Sequence, residues 1–239
     1  MKIFCCYTQA HKTLLENYFS RSLPAGFSVT SIELDIAGPG DYLSPEFLQC
    51  ISRKVDLILQ SIEENSDEIV IWSDIDIQFF DLQPEMLVNQ LGNHDIAFQR
   101  EGHRVTDVNT GFIVCRCNRA TAAFFRKAKD GLKQIPTANE QLIINALLRQ
   151  ENCEVSWTYL SPGFYARSHG WPPPRNIVLY HANNTAGSNG VRRKIEQFDE
   201  LSLLRRHRVL GLLFLFPKYA LRKFVRLSRK CLTMPSCQR

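Results

Sequence analysis

Two aspartates one residue apart, Asp74 and Asp76, directly follow the apolar run Glu68-Ile-Val-Ile-Trp72. Alternate side chains of an extended chain point the same way, so both carboxylates face one side. Like charges that close repel unless water or a cation lies between them. Such hard oxygen ligands suit Mn²⁺ or Mg²⁺, which also coordinate phosphate oxygens. A solvated strand end would carry two aspartates as well; the apolar residues on either side of the pair favour the metal site. His181 follows a second apolar run, Ile177-Val-Leu-Tyr180. It is either structural or a third protein ligand, and imidazole suits Mn²⁺ better than Mg²⁺.

Lys54 is placed unusually. Phe47, Ile51, Val55, Ile58 and Ile62 recur at helical spacing, and Lys54 projects between Ile51 and Ile58 inside that stripe. A lysine there either snorkels past its neighbours or reaches an anion at the edge of the core. Asn109-Thr110-Gly111 precedes a strand and reads as a turn, or as part of a site. Asn139-Glu140-Gln141 opens a helix, where an Asn cap and a first-turn carboxylate are expected in any case.

The elements that must position these groups follow from periodicity. Strands are expected at 2–8, 29–34, 68–72, 95–98, 111–115, 155–160 and 177–180. Helices are expected from Ser44-Pro45, with Pro45 at the first helical position, and at 84–91, 118–132 and 139–149. A length of 239 residues accommodates one α/β domain with a full core. Strands alternating with helices predict an α/β fold, a mostly parallel sheet with helices on both faces. Ligands of such sheets sit beyond the carboxyl ends of the strands, where most of the residues above fall.

Taken in order, these segments resemble the nucleotide-diphospho-sugar transferases of the Rossmann-like GT-A fold. The resemblance covers roughly residues 2–195 and rests on six pieces. They are Tyr7-Thr8-Gln9, Tyr42-x-Ser44-x-x-Phe47 with Lys54 downstream, Asp74-Ile-Asp76, Asn109-Thr110-Gly111-Phe112, Asn139-Glu140-Gln141 and His181-Ala-Asn183-Asn184. The resemblance implies a metal-dependent glycosyltransferase using Mn²⁺ (or Mg²⁺), a nucleotide-diphosphate sugar with UDP favoured, and an acceptor hydroxyl of a glycan or lipid-linked molecule. Thr8 would lie near the nucleotide and Lys54 near the diphosphate. Asp74 would contact ribose or metal, with Asp76 and His181 as direct metal ligands. Asn109, Thr110, Gly111 and Asn183 belong to the implied donor site, and Glu140 and Gln141 face the reacting sugar or the acceptor. The resemblance leans to retention, which requires no protein base; for inversion, Glu140 or Asp107 is the candidate base. A Lys-Pro-Trp often follows the histidine in related enzymes; here the nearest basic residues are Arg192, Arg193 and Lys194.

Two other readings remain at this level. A sugar nucleotidyltransferase shares the fold, but usually has a Gly-rich basic loop after the first strand, and Thr8-Gln9-Ala10-His11-Lys12 has no glycine. A non-catalytic nucleotide-sugar-binding module is the other.

Charge is uneven along the chain. From Arg192 onward the balance is +10, against −5 before it, which suggests separate tasks for a domain over 1–200 and a basic amphipathic extension over 201–239. Val209–Phe216 is too short an apolar run to span a bilayer. Beyond Pro217 a helical projection places Leu221, Phe224, Val225 and Leu232 opposite most of the Lys and Arg side chains. Residues 205–232 thus suit an anionic membrane surface, or packing on the domain; no motif supports nucleic-acid binding. The N-terminus lacks signal-peptide features, and eight cysteines without zinc or C-x-x-C spacing suggest a reduced protein. The expected location is cytoplasmic, peripheral on the membrane face.

Overall fold

A computed structural model describes residues 1–38, 41–102, 106–183, 185 and 188–232, with side chains to Ala220. The chain divides into two compact units, Met1–Ile195 and Glu196–Arg239.

The first unit is built on a six-stranded sheet of order β2-β1-β3-β6-β5-β7. Its strands are β1 (Lys2–Tyr7), β2 (Ser28–Glu33), β3 (Ile69–Ser73), β5 (Ile96–Arg100), β6 (Val108–Arg116) and β7 (Trp157–Tyr159). Five run one way and β6 runs against them. The cause is local: only residues 101–107 join β5 to β6, too few for the crossover a parallel neighbour needs. A smaller sheet, β4-β9-β8, joins β4 (Ile77–Phe79), β8 (Phe164–Ala166) and β9 (Leu179–His181). Sequence periodicity missed β4 and β8, each three residues long.

Helices α3 (Pro45–Glu64), α5 (Arg119–Gln134) and α6 (Glu140–Leu148) pack together over one face of the large sheet. Ser44 caps α3 by accepting from the Phe47 amide, and Pro45 occupies its first turn. Asn118 caps α5 by accepting from the Thr121 amide. The stripe Ile51, Val55, Ile58 and Ile62 meets Val70, Trp72, Phe98 and Ile113 in one core cluster. Each such large side chain contributes roughly 1.5–3 kcal/mol when fully buried. The other face is covered by α4 (Pro84–Leu91) and by a helical segment over 9–22 that includes α1 (Lys12–Leu14) and α2 (Ser20–Ser22). An aromatic chain, Phe19–Phe79–Phe112–Phe164, continues through that side with successive centroids 5.2, 6.3 and 5.7 Å apart.

The boundary between the units falls within α7 (Gly190–Arg206), and the second unit continues as α8 (Arg208–Leu232), which runs through Pro217 without ending. Among the described residues of α8, Val209, Leu210, Leu213, Phe214 and Phe216 are 53–74% exposed. The side chains of the amphipathic projection beyond Pro217, from Leu221 to Leu232, lie outside the described residues. Among the described residues no helix is long and apolar enough to cross a membrane.

Candidate active site

The reversed strand gathers the site. Thr8 follows β1, Asp74 follows β3 and Glu101 follows β5, all at the carboxyl edge of the sheet. Because β6 runs the other way, it delivers its own beginning, Asn109-Thr110-Gly111, to that same edge. The Asp74 amide donates to the Gly111 carbonyl at 2.7 Å and locks the two segments together. Asn145 of α6 plugs the start of β6, accepting from the Val108 amide at 2.8 Å and donating to its carbonyl at 3.0 Å.

A cavity of about 340 Å³ opens here, a volume within the range of small-molecule sites. Asp74, Asp76, Asn109, Thr110, Gly111, Glu140, Gln141, His181 and Asn183 all line it. Thr8 and Lys54 line an adjoining recess of about 130 Å³, which shares Asp74, Asp76, His11 and Lys194 with the main cavity. Asp107 lines neither; its carboxylate pairs with Arg149. Asn184, the last residue of the His181 motif, lies outside the described residues.

Asp74, Asp76 and His181 each offer a ligand atom within 4.8 Å of the others. The second carboxylate is buried, and its Oδ1 has no hydrogen-bond partner although His181 Nε2 is 3.3 Å away. An unsatisfied buried carboxylate oxygen is costly, and a cation between Oδ1 and Nε2 would remove that cost. The donor set of two carboxylates and one imidazole therefore fits Mn²⁺. Burial alone would raise the Asp76 carboxyl, but the Lys194 ammonium 2.8 Å from Oδ2, together with His181, outweighs it and holds the group well below the usual carboxylate range.

Gly111 makes the room. A Cβ there would come within 2.2 Å of His181 Cε1. The amide of Gly111 donates to Asn109 Oδ1 at 2.9 Å, which fixes the turn into β6.

Of the two alternatives for a lysine in the apolar stripe, Lys54 takes the second and reaches anions, which belong to the protein. Its ammonium lies 2.8 Å from both Asp74 Oδ1 and Glu140 Oε1, and its side chain is 6% exposed. Burial would depress the ammonium; the two carboxylates overcome this and hold it above the ordinary lysine value. Glu140 accepts a further hydrogen bond from Thr110 Oγ1 at 2.9 Å. Asn139 caps α6 through the Leu142 amide, and the helix start thus presents Glu140 and Gln141 to β6.

Three ionisable lining residues escaped the sequence reading. Lys194 was noted only as one of several basic residues, because its reach to Asp76 depends on where α7 begins. Glu101 accepts from both Asn109 and Gln141, the latter at 3.2 Å, in a loop with no local signal. His11 Nδ1 shares a 2.9 Å hydrogen bond with Thr8 Oγ1, and burial, with Lys194 nearby, pushes its imidazole down to about 4.

The profile of a family described as nucleotide-diphospho-sugar transferase matches residues 9–198. No curated protein matches the chain. Among solved structures, the glycosyltransferase GlyE of Streptococcus pneumoniae TIGR4 superposes with a TM-score of 0.55 at 11% identity, covering 83% of this chain. The chain spans 63% of that protein's length. A glycosyltransferase involved in the glycosylation of the major capsid of PBCV-1 gives a TM-score of 0.57 at 14% identity, covering 82% of this chain and 98% of its own. At these identities the likeness establishes the fold, the GT-A arrangement of a mostly parallel sheet between helices.

Proposed function

Because the chain belongs to the nucleotide-diphospho-sugar transferase family, we propose that it is a glycosyltransferase moving a sugar from a UDP-sugar to an acceptor hydroxyl, with retention and with Mn²⁺ (or Mg²⁺) bound. The observation that carries this reading is the cluster of Asp74, Asp76 and His181 on the cavity wall, with one buried carboxylate oxygen unsatisfied. These three residues would hold the cation. When bound, it supplies Lewis-acid stabilisation of the departing diphosphate.

The protein's own groups supply the rest. Among the described residues Lys194 is the lysine lining the main cavity, and its ammonium would take up charge that grows on the diphosphate. Lys54 does so only through others, by holding Asp74 and Glu140 in place. The adjoining recess has an apolar side, Leu34, Phe47, Cys50 and Ile51 beside Thr8. That side would take the flat face of a nucleotide base, uracil being the one the family resemblance favours. Asn109, Thr110, Gly111 and Asn183 would surround the donor sugar, with Gln141 toward the acceptor.

Retention is supported by the state of the carboxylates. Glu140 is held by Lys54 and Thr110, Glu101 by Asn109 and Gln141, and Asp107 by Arg149. Among the described residues these three have structural partners, an arrangement that suits retention, which needs no protein base.

The exposed apolar residues of α8 and the Lys/Arg-rich sequence after Pro217 suit an anionic membrane surface. A membrane-proximal glycan or lipid-linked acceptor, met at the cytoplasmic face, follows from that placement. Co-sedimentation with phosphatidylglycerol vesicles, and its loss at high salt, tests it.

The central test incubates the protein with a panel of nucleotide sugars, Mn²⁺ and candidate acceptors, and follows nucleoside diphosphate release. Release of UDP is expected, abolished by Asp76→Ala. No release from any donor, with donor binding unchanged in Asp76→Ala, would refute the reading; pyrophosphate as product would replace it with nucleotidyl transfer.

A further inference from the structure

A buried relay behind His181 fixes which of its ring nitrogens carries the proton. Gln99, at the register shift of β5, is fully buried. Its side-chain Nε2 donates to the Phe164 carbonyl at 3.1 Å. A carbonyl only accepts, so this bond fixes the orientation of the amide. Gln99 Oε1 is therefore the atom turned to His181 Nδ1, at 3.0 Å. An amide oxygen also only accepts, so Nδ1 must be the protonated nitrogen of the neutral ring. The lone pair then sits on Nε2, the atom facing Asp76 Oδ1 at 3.3 Å. Two acceptors then face each other there, and Asp76 Oδ1 has no hydrogen-bond partner.

We propose that Gln99 is a positioning residue which, anchored by the Phe164 carbonyl, holds His181 in the Nδ1–H tautomer and so keeps Nε2 open to a divalent cation. The inference rests on the metal-site reading above and adds to it the residue that prepares the imidazole. Without Gln99 the ring is free to place its proton on Nε2 and donate it to Asp76 Oδ1. That single hydrogen bond would satisfy the carboxylate and close two ligand positions at once. Outer partners of this kind typically change metal affinity by about 10–100-fold.

The test uses the full chain, free of metal, with ¹⁵N-labelled histidine. Two-bond nitrogen–proton correlations report the tautomer, and His181→Asn assigns the signal. The wild type is expected to show Nδ1–H at His181, and Gln99→Leu to shift the proton to Nε2. Mn²⁺ titration followed by electron paramagnetic resonance should show about tenfold or weaker binding in Gln99→Leu. Gln99→Glu, which retains an acceptor for Nδ1–H and, protonated on its other oxygen, a donor for the Phe164 carbonyl, should restore both the tautomer and the affinity. A wild-type His181 protonated on Nε2 overturns the inference alone, provided Mn²⁺ still binds. So does a folded Gln99→Leu whose Mn²⁺ affinity stays within about twofold of wild type. Wild-type protein that binds no Mn²⁺ overturns the inference together with the metal reading. Should Gln99→Leu fail to fold, the wild-type tautomer and the Gln99→Glu titration decide.

Discussion

Gly111 and His181 occupy adjoining space so tightly that one methyl group on the first would overlap the ring of the second, at 2.2 Å from Cε1 and 2.7 Å from Nδ1. The strand is buried on both faces at this point and the ring is held by Gln99, so neither side can yield cheaply. Gly111→Ala is expected to displace the imidazole, cost about 1–3 kcal/mol of stability and weaken Mn²⁺ binding by about tenfold or more. Denaturant unfolding and a Mn²⁺ titration measure the two effects. A variant with unchanged Mn²⁺ affinity would mean that His181 is not a ligand.

Lys54 and Lys194 should separate cleanly. Lys54→Met leaves Glu140 buried without its counter-charge and should cost about 3–5 kcal/mol. The double variant Lys54→Met/Glu140→Gln should recover part of that loss. Thermal and denaturant unfolding of the pair decide this; equal instability of single and double variants would argue against the ion pair as the cause.

Lys194→Ala should do the reverse. Its side chain is partly exposed, and a cation held by Asp76 and His181 would replace its charge, so with Mn²⁺ present stability should change less than in Lys54→Met. Donor turnover, read as kcat/KM, should fall by about tenfold or more, as expected for loss of a charge-assisted contact of at least about 1.5 kcal/mol. Unchanged kinetics would remove Lys194 from the site.

The pH dependence of stability carries a signature of His11. Its folded-state value of about 4 lies below the ordinary 6.5. A depressed value means the unfolded chain binds the proton more readily. The contribution is therefore fully present above about pH 6.5 and is lost as pH falls through 4, with an amplitude of up to about 3 kcal/mol. Unfolding free energies measured between those limits should show a steeper slope for the wild type than for His11→Gln. Parallel curves would contradict it.

Much of this arrangement could be read from the chain itself, and the part that could not has definite causes. Strands such as Ile69–Ser73 and helices such as Pro45–Glu64 announce themselves through periodicity and a cap, because their signals are local. The three-residue strands Ile77–Phe79 and Phe164–Ala166 have too few residues to show a period. The direction of the strand Val108–Arg116 follows from a short connection rather than from its composition. The ion pairs of Lys54 with Asp74 and Glu140 join residues far apart in sequence, and only the lysine's odd position on its helix hinted at them. Glu101 carries no sequence signal and Lys194 only that of a basic run after His181, since their place at the cavity is set by where a loop and a helix begin.

The connection over 101–107 has a bearing on what variation the chain can tolerate. It joins β5 to the strand that runs against the other five of the large sheet, and the pairing of the two shifts between Phe98 and Gln99. Slippage of β6 by a single residue would set Thr110 or Phe112 where Gly111 must be and turn alternate side chains to the opposite face. Insertions elsewhere on the surface need alter nothing but loop length. A change of length here that was absorbed by the strand would reset the whole site at once, which makes this hairpin the place where divergence among relatives should be most restrained.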